Sequence, residues 1–98
     1  MRTIGFFSRE GDGFDGHIAT LTIQHKAVIL PNLNRRRKDV PDFQVFANGV
    51  LIGEARFPSA TSEKCFLSVT LDDPSFAAAM PCCLIDEGFG TYRLVWSR

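Results

Sequence analysis

The sequence has little of what marks several large classes of protein. None of its apolar runs approaches the ~18 residues that a membrane-spanning helix needs, so we expect no membrane partner. Residues 1–5 lack the apolar stretch that opens a secretory signal, which predicts a cytoplasmic protein. The 98 residues leave room for one domain, residues 1–98, and a hydrophobic content of 45% with nine Phe excludes intrinsic disorder.

Cysteine is scarce, with Cys65, Cys82 and Cys83 as its only examples. An odd number that includes two neighbours makes a poor disulfide framework, because adjacent cysteines bridge only through a strained ring. A zinc knuckle needs residues between its thiols, and the adjacent pair has none. We therefore expect buried free thiols in a reducing compartment, with no metal site and no cofactor.

Groups suited to catalysis are also few. His17 and His25 are the only histidines, the residue type most used for acid–base catalysis near neutral pH, and they would share a face only on one unbroken strand. No Ser lies in a Gly-x-Ser-x-Gly elbow. The glycine-rich segment 11–16 lacks both the Gly-Lys-Ser/Thr ending of a phosphate loop and the closing Glu of a calcium loop. The sequence therefore predicts that the protein is not an enzyme.

What the sequence does contain is a series of short strands separated by turn residues. Apolar and polar residues alternate from 65 to 71, and Asn48-Gly49 is a strong hairpin signal, because a two-residue turn needs positive φ twice. Strands are predicted at 3–8, 17–24, 27–30, 42–47, 50–57, 65–71, 80–85 and 91–96, with one helical turn at 76–80. This spacing predicts an all-β fold, an antiparallel barrel or sandwich of about seven to eight short strands with little or no helix.

Charge is balanced overall but unevenly distributed. Residues 1–40 carry seven Lys or Arg against four Asp or Glu, and residues 41–98 reverse these numbers. The run Arg35-Arg36-Arg37-Lys38 in a predicted loop could contact phosphates while an exposed Phe57 or Phe89 stacks on unpaired bases. A solvated loop would have the same composition, and a zero net charge is unlike that of a protein that coats DNA. A third interpretation of the basic run is that a protein partner docks on the same loop.

Several longer segments carry a resemblance to a known family. They are Gly11-Asp12-Gly13-Phe14-x-Gly16, Pro41-Asp42-Phe43-x-Val45-Phe46-Ala47-x-Gly49-Val50, Leu67-Ser68-Val69-x-Leu71-Asp72-Asp73-Pro74-Ser75-Phe76 and the ending Trp96-Ser97-Arg98. Together they resemble the domain-of-unknown-function family 736 (DUF736) over nearly the whole chain. The family has no agreed activity. The resemblance implies a short cytoplasmic alphaproteobacterial protein of the kind carried on plasmids, integrative elements and conjugation loci.

One departure from the family pattern bears on function. Where members carry a Trp followed by basic residues, this chain has Arg56-Phe57-Pro58, which removes a device for stacking on bases beside phosphates. The resemblance thus implies a non-enzymatic accessory protein of a mobile element that binds and inhibits a host protein complex, as anti-CRISPR proteins do, with a CRISPR effector as one candidate. The alternative is weak binding of single-stranded nucleic acid in plasmid or conjugative transfer. A homodimer through an edge strand is a further expectation. The candidate binding residues are Arg35, Arg36, Arg37, Lys38, Arg56 and Phe57.

Overall fold

The computed structural model describes residues 2–20, 24–32, 40–58, 65–74, 76 and 78–96. In these ranges the chain forms eight antiparallel strands in sequential order, and the first strand also pairs with the last, which closes a barrel. The strands are β1 (Arg2–Glu10), β2 (Gly13–Ala19), β3 (Gln24–Pro31), β4 (Phe43–Ala47), β5 (Val50–Arg56), β6 (Leu67–Leu71), β7 (Met80–Gly88) and β8 (Thr91–Trp96). The predicted all-β fold is confirmed, as a barrel.

The barrel is filled by side chains that alternate along each strand. In β6, Leu67, Val69 and Leu71 are buried, whereas Ser68 and Thr70 face solvent. Eight strands enclose an interior just wide enough for side chains to fill. The largest fully buried side chains include Phe7, Phe14, Ile18, Ile29, Leu67, Leu71, Leu84 and Leu94.

The hairpin predicted at Asn48-Gly49 joins β4 to β5. Asn48 has a φ of 52° and Gly49 a φ of 79°, the two positive values that this tight turn requires. Because β4 and β5 thus follow from a local signal, their predicted bounds differ from the observed ones by only one residue at the start of β4 and one at the end of β5.

The second strand begins earlier than the sequence pattern predicted. β2 spans Gly13–Ala19, and its two glycines pair with β1, as Glu10↔Gly13 and Phe7↔Gly16, where the pattern indicated a longer turn. The bounds 17–24 were therefore wrong. As a result His17 lies on β2 and His25 on β3, so the two histidines do not share a strand.

The helical turn expected at 76–80 falls partly outside the described residues. Residues 76, 78 and 79 are not helical, and Met80 already opens β7. Within the described ranges, no helix is long and apolar enough to cross a membrane.

The expectation that Cys65 and Cys83 are buried free thiols was wrong. Cys65 and Cys83, 18 positions apart in sequence, form a disulfide with Cα atoms 5.3 Å apart. The distance lies within the ordinary range for a disulfide. Spacing along the chain could not show this pairing, because it depends on β6 and β7 lying side by side. Cys82 remains a free thiol, buried in the core.

Closure also bears on the proposed edge-strand homodimer. Along the described strands each one pairs with a neighbour on both sides, β1 with β8 included. These strands therefore present no unpaired edge to a second copy, and a dimer of that kind would first have to open the barrel.

Candidate functional site

The up-and-down strand order gathers four connections at one end of the barrel. These are the links between β1 and β2, β3 and β4, β5 and β6, and β7 and β8. Phe57 belongs to the third link and Phe89 to the fourth, so the two Phe residues singled out from the sequence lie at the same end. The run 35–38 belongs to the second link but lies outside the described residues.

Five aromatic rings meet at this end and define what we call the aromatic end. Phe14 stands at its centre, with its ring centroid 4.9 Å from Tyr92 and 6.1 Å from both Phe43 and Phe66, in edge-to-face geometry. Phe57 extends the cluster outward, 5.6 Å from Phe43 and 6.4 Å from Phe66. Each of these pairs adds about 0.5–1.5 kcal/mol to the burial of its rings, which makes a firm platform.

The Arg9 side chain packs against one face of this aromatic cluster. The guanidinium carbon of Arg9 lies 5.0 Å from the centroid of the Phe14 ring, within the range of a cation–π contact. The Arg9 Nε also donates to the carbonyl oxygen of Gly11 at 3.2 Å. These two contacts hold the Arg9 side chain at the rim of the barrel.

Arg56 and Phe57 tie two of the connections together. Arg56 Nη1 donates to the carbonyl oxygen of Val40 at 3.2 Å, and the backbone N–H of Phe57 donates to Asp42 Oδ2 at 2.9 Å. Arg56 also lies 3.9 Å from a carboxylate oxygen of Glu54. Both predicted residues therefore lie against the segment that follows residues 33–39, and the Phe57 side chain stays 53% exposed.

Asn32 holds the other side of the same connection, a role that the sequence did not reveal. Asn32 is buried, and its Nδ2 donates to the carbonyl oxygen of Pro41 at 3.0 Å. Its backbone N–H donates to the carbonyl oxygen of Asp42 at 2.9 Å. A polar residue directly after a strand is the signal that could have identified this clamp.

Phe89 is the most unusual residue at the aromatic end. It lies at the tip of the turn between β7 and β8, fully exposed, with a φ of 56°. Gly88 and Gly90 beside it also have positive φ, and the backbone N–H of Arg9 donates to the Gly90 carbonyl at 2.8 Å, which fixes the turn against β1. An aromatic residue in the left-handed region costs backbone energy that Gly or Asn would avoid.

Acidic side chains outnumber basic ones among the described residues around these rings. Asp86 Oδ1 accepts from the N–H of Gly88 at 2.8 Å, and Glu87 pairs with Arg93 at 3.1 Å. The other carboxylates at this end are Glu10, Asp12, Asp42 and Glu54, and the basic residues are Arg9, Arg56 and Arg93. A phosphate backbone would meet mainly negative charge on this part of the surface.

A second concave surface lies on the outer wall of the barrel. It is a depression of about 410 Å³ whose lining includes the apolar Val28, Leu30 and Phe46 and the charged Asp15 and Lys26. The paired positions Val28↔Phe46 and Phe46↔Leu51 place Val28, Phe46 and Leu51 in one row across three strands. Among the described residues no group of three His, Cys, Asp or Glu is placed to hold a metal ion.

The Cys82 thiol provides a test of how far the barrel interior excludes water. Burial raises the pKa of its thiol from the ordinary 9.0 to about 12. Between these values the unfolded chain releases the proton and the folded chain keeps it, so the free energy of unfolding falls as the pH rises through this window. We expect a Cys82→Ala variant to show a shallower decline in urea midpoint from pH 9.0 upward than the parent protein. Equal slopes would contradict the burial of this thiol.

Comparison with known proteins places the chain in a family. The family model described as protein of unknown function (DUF736) matches residues 3–98, nearly the whole chain. No curated protein and no solved structure matches.

Proposed function

We propose a binding function for this chain, which belongs to the family of proteins of unknown function DUF736. It is a non-enzymatic cytoplasmic accessory protein of a mobile genetic element, and it binds and inhibits a host protein complex, with a CRISPR effector as the first candidate. The mobile-element setting comes from the family resemblance. The observation that carries the binding function is Phe89, fully exposed at the tip of its turn.

Phe89 carries two unfavourable features in the free protein. Its ring is left in water, and its backbone occupies a conformation that suits glycine, its neighbour on both sides. Strained residues of this kind persist where a function uses them. An apolar pocket on a partner would bury the ring, and aromatic anchors of this type supply much of the energy of protein interfaces.

A protein partner fits the surroundings of Phe89 better than a nucleic acid does. The described carboxylates at the aromatic end would repel phosphates, and the described arginines there, Arg9, Arg56 and Arg93, already bind groups of the barrel itself. Because the described strands have no free edge, the partner must be recognised by side chains and turns rather than by an added strand.

We expect a Phe89→Ala variant to bind its partner at least ~30-fold more weakly, since removal of a central aromatic anchor costs about 2 kcal/mol or more. Its stability should not fall, because the ring contacts solvent only. The matched control is Phe6→Ala, which removes a ring that is 65% exposed on the barrel wall, away from the aromatic end. Titration calorimetry with the purified partner measures both affinities.

The partner is found by placing a photo-reactive benzoylphenylalanine at position 89, or at position 6, in the host cell. Binding at the aromatic end predicts one discrete protein adduct from position 89 and none from position 6. If the adduct is a CRISPR effector, Phe89→Ala should restore interference while Phe6→Ala should not. Equal adducts from both positions, or none from either, would argue against the proposal.

Single-stranded nucleic acid is the second candidate, favoured by the two exposed rings of Phe57 and Phe89 at one end of the barrel. It requires affinity for a labelled single strand that falls with salt, with a log–log slope of roughly −0.7 for each phosphate contacted. Anisotropy titrations at low and high salt decide between the two. A steep slope that disappears in a variant with Ala at Arg35, Arg36 and Arg37 would put this candidate first.

A further inference from the structure

The Cys65–Cys83 disulfide lies on the outside of the barrel. Cys82 and Leu84 belong to the inner core, so Cys83 between them points to the outer face. Cys65 precedes β6 and is half-buried, whereas Cys83 is almost fully buried. The bond therefore joins the approach to one strand to the outer surface of the next, and Cys65 is its more accessible member.

The third cysteine is in no position to exchange with this pair. Cys82 points into the core on the opposite face of β7, and its Sγ lies 3.6 Å from the carbonyl oxygen of Met80. Desolvation holds its thiol in the protonated form, which is a poor nucleophile. Reduction and oxidation at Cys65 and Cys83 thus proceed as an isolated two-thiol system.

The disulfide joins the chain just before β6 to β7, at a point where the pairing between β5 and β6 has already ended. The β5–β6 ladder runs from Gly53↔Leu71 to Arg56↔Ser68 and stops there, because the N–H of Phe57 turns away to Asp42. Ahead of Ser68, the chain is held to β7 by the pair Leu67↔Leu84 and by the N–H of Phe66, which donates to the Leu84 carbonyl at 2.7 Å. The disulfide adds a covalent bond to this contact between the start of β6 and β7, which we call the seam.

We propose that Cys65 and Cys83 form a reversible thiol–disulfide site that controls how firmly the start of β6, and Phe66 with it, is held in the barrel. In a reducing compartment disulfides are characteristically transient or redox-sensing. A low-molecular-weight thiol such as glutathione attacks Cys65 Sγ as its thiolate, the S–S bond breaks, and Cys83 leaves as a thiolate that takes up a proton. A second glutathione then releases Cys65 as a thiol and forms glutathione disulfide, so two electrons and two protons pass to the protein.

Phe66 links this site to the aromatic end. Its ring lies 5.3 Å from Tyr92 and 6.1 Å from Phe14, so loosening its backbone disturbs the platform next to Phe57. Control of partner affinity by the redox state is a consequence that rests on the proposed function. The opening of the seam itself does not depend on any partner.

Amide hydrogen exchange of the purified protein tests the site directly. After native reduction with millimolar glutathione, the Phe66 amide should exchange at least ~10-fold faster, and the melting temperature should fall by roughly 10 °C, as for loss of an 18-residue cross-link. The Arg9 amide, bonded to Gly90 in another part of the rim, serves as the internal reference and should change less.

Two variants complete the test. Cys65→Ser should exchange rapidly at Phe66 with or without glutathione, whereas Cys82→Ala should retain the full response because its disulfide is intact. Reoxidation by glutathione disulfide should restore slow exchange. The proposal is overturned if glutathione leaves the folded protein oxidised, if reduction leaves Phe66 exchange unchanged, or if thiol mapping finds Cys82 in a disulfide. A positive exchange result with no change in partner affinity would sustain the site and count only against its link to binding.

Discussion

A Phe14→Ala variant is expected to lose about 3–5 kcal/mol of its free energy of unfolding, the usual cost of removing a fully buried aromatic ring. Phe14 is 1% exposed and its ring contacts three other rings and the Arg9 guanidinium. Its removal leaves a cavity between strands that are far apart in sequence, and the closed barrel cannot collapse to fill it. Since small domains are stable by only about 5–15 kcal/mol, the variant should be close to unfolding at moderate temperature.

Urea denaturation followed by the fluorescence of Trp96, the single tryptophan, measures this loss, because Trp96 packs against the core. Phe6→Ala is again the matched control, since Phe6 lies one residue before the buried Phe7 but projects outward, and its change should stay within about 0.5 kcal/mol. A loss below about 1 kcal/mol for Phe14→Ala would show that the aromatic end is not a packed unit.

Features encoded by neighbouring residues could be predicted from the sequence. The alternation in β6 and the turn at Asn48-Gly49 depend on residues within a few positions of each other, and both are confirmed. The sequence did not settle which Phe residues are exposed, and the structure shows that Phe57 and Phe89, named as examples, are among them.

Features that depend on distant strands could not be predicted in this way. Closure through β1 and β8, and the Cys65–Cys83 bond, are set by which strands lie side by side. The same holds for the aromatic end. Phe14 lies in a glycine-rich segment that indicated a turn, and simple alternation placed Phe66 on the face opposite Leu67, whereas its ring packs against Tyr92 at the barrel mouth. The basic run 35–38 stays a prediction, because it lies outside the described residues.

The absence of a side chain at Gly16 is as important to the barrel as any of its rings. Gly16 faces inward on β2 opposite Phe7, and a Cβ built on it would lie 2.7 Å from two carbons of the Phe7 ring and against the carbonyl oxygen of Phe6. Real Cβ atoms do not tolerate such distances, so the ring or the β1 backbone would have to move. Phe7 is itself almost completely buried, and since protein interiors are close-packed its ring would displace its neighbours if it moved.

A Gly16→Ala variant is therefore expected to lose about 3 kcal/mol of its free energy of unfolding, at the upper end of the usual cost of overpacking. The effect has the opposite origin from that of Phe14→Ala, since it adds atoms to the core instead of removing them. A Gly16→Ala, Phe7→Leu double variant should recover part of the loss by taking the ring away, which a double-mutant cycle in urea would measure. Asp15→Ala, on the outer face of the same strand, is the control and should be nearly neutral. Without recovery in the double variant, the Phe7 ring would not be the obstacle, and the contact with the β1 backbone alone would account for the loss.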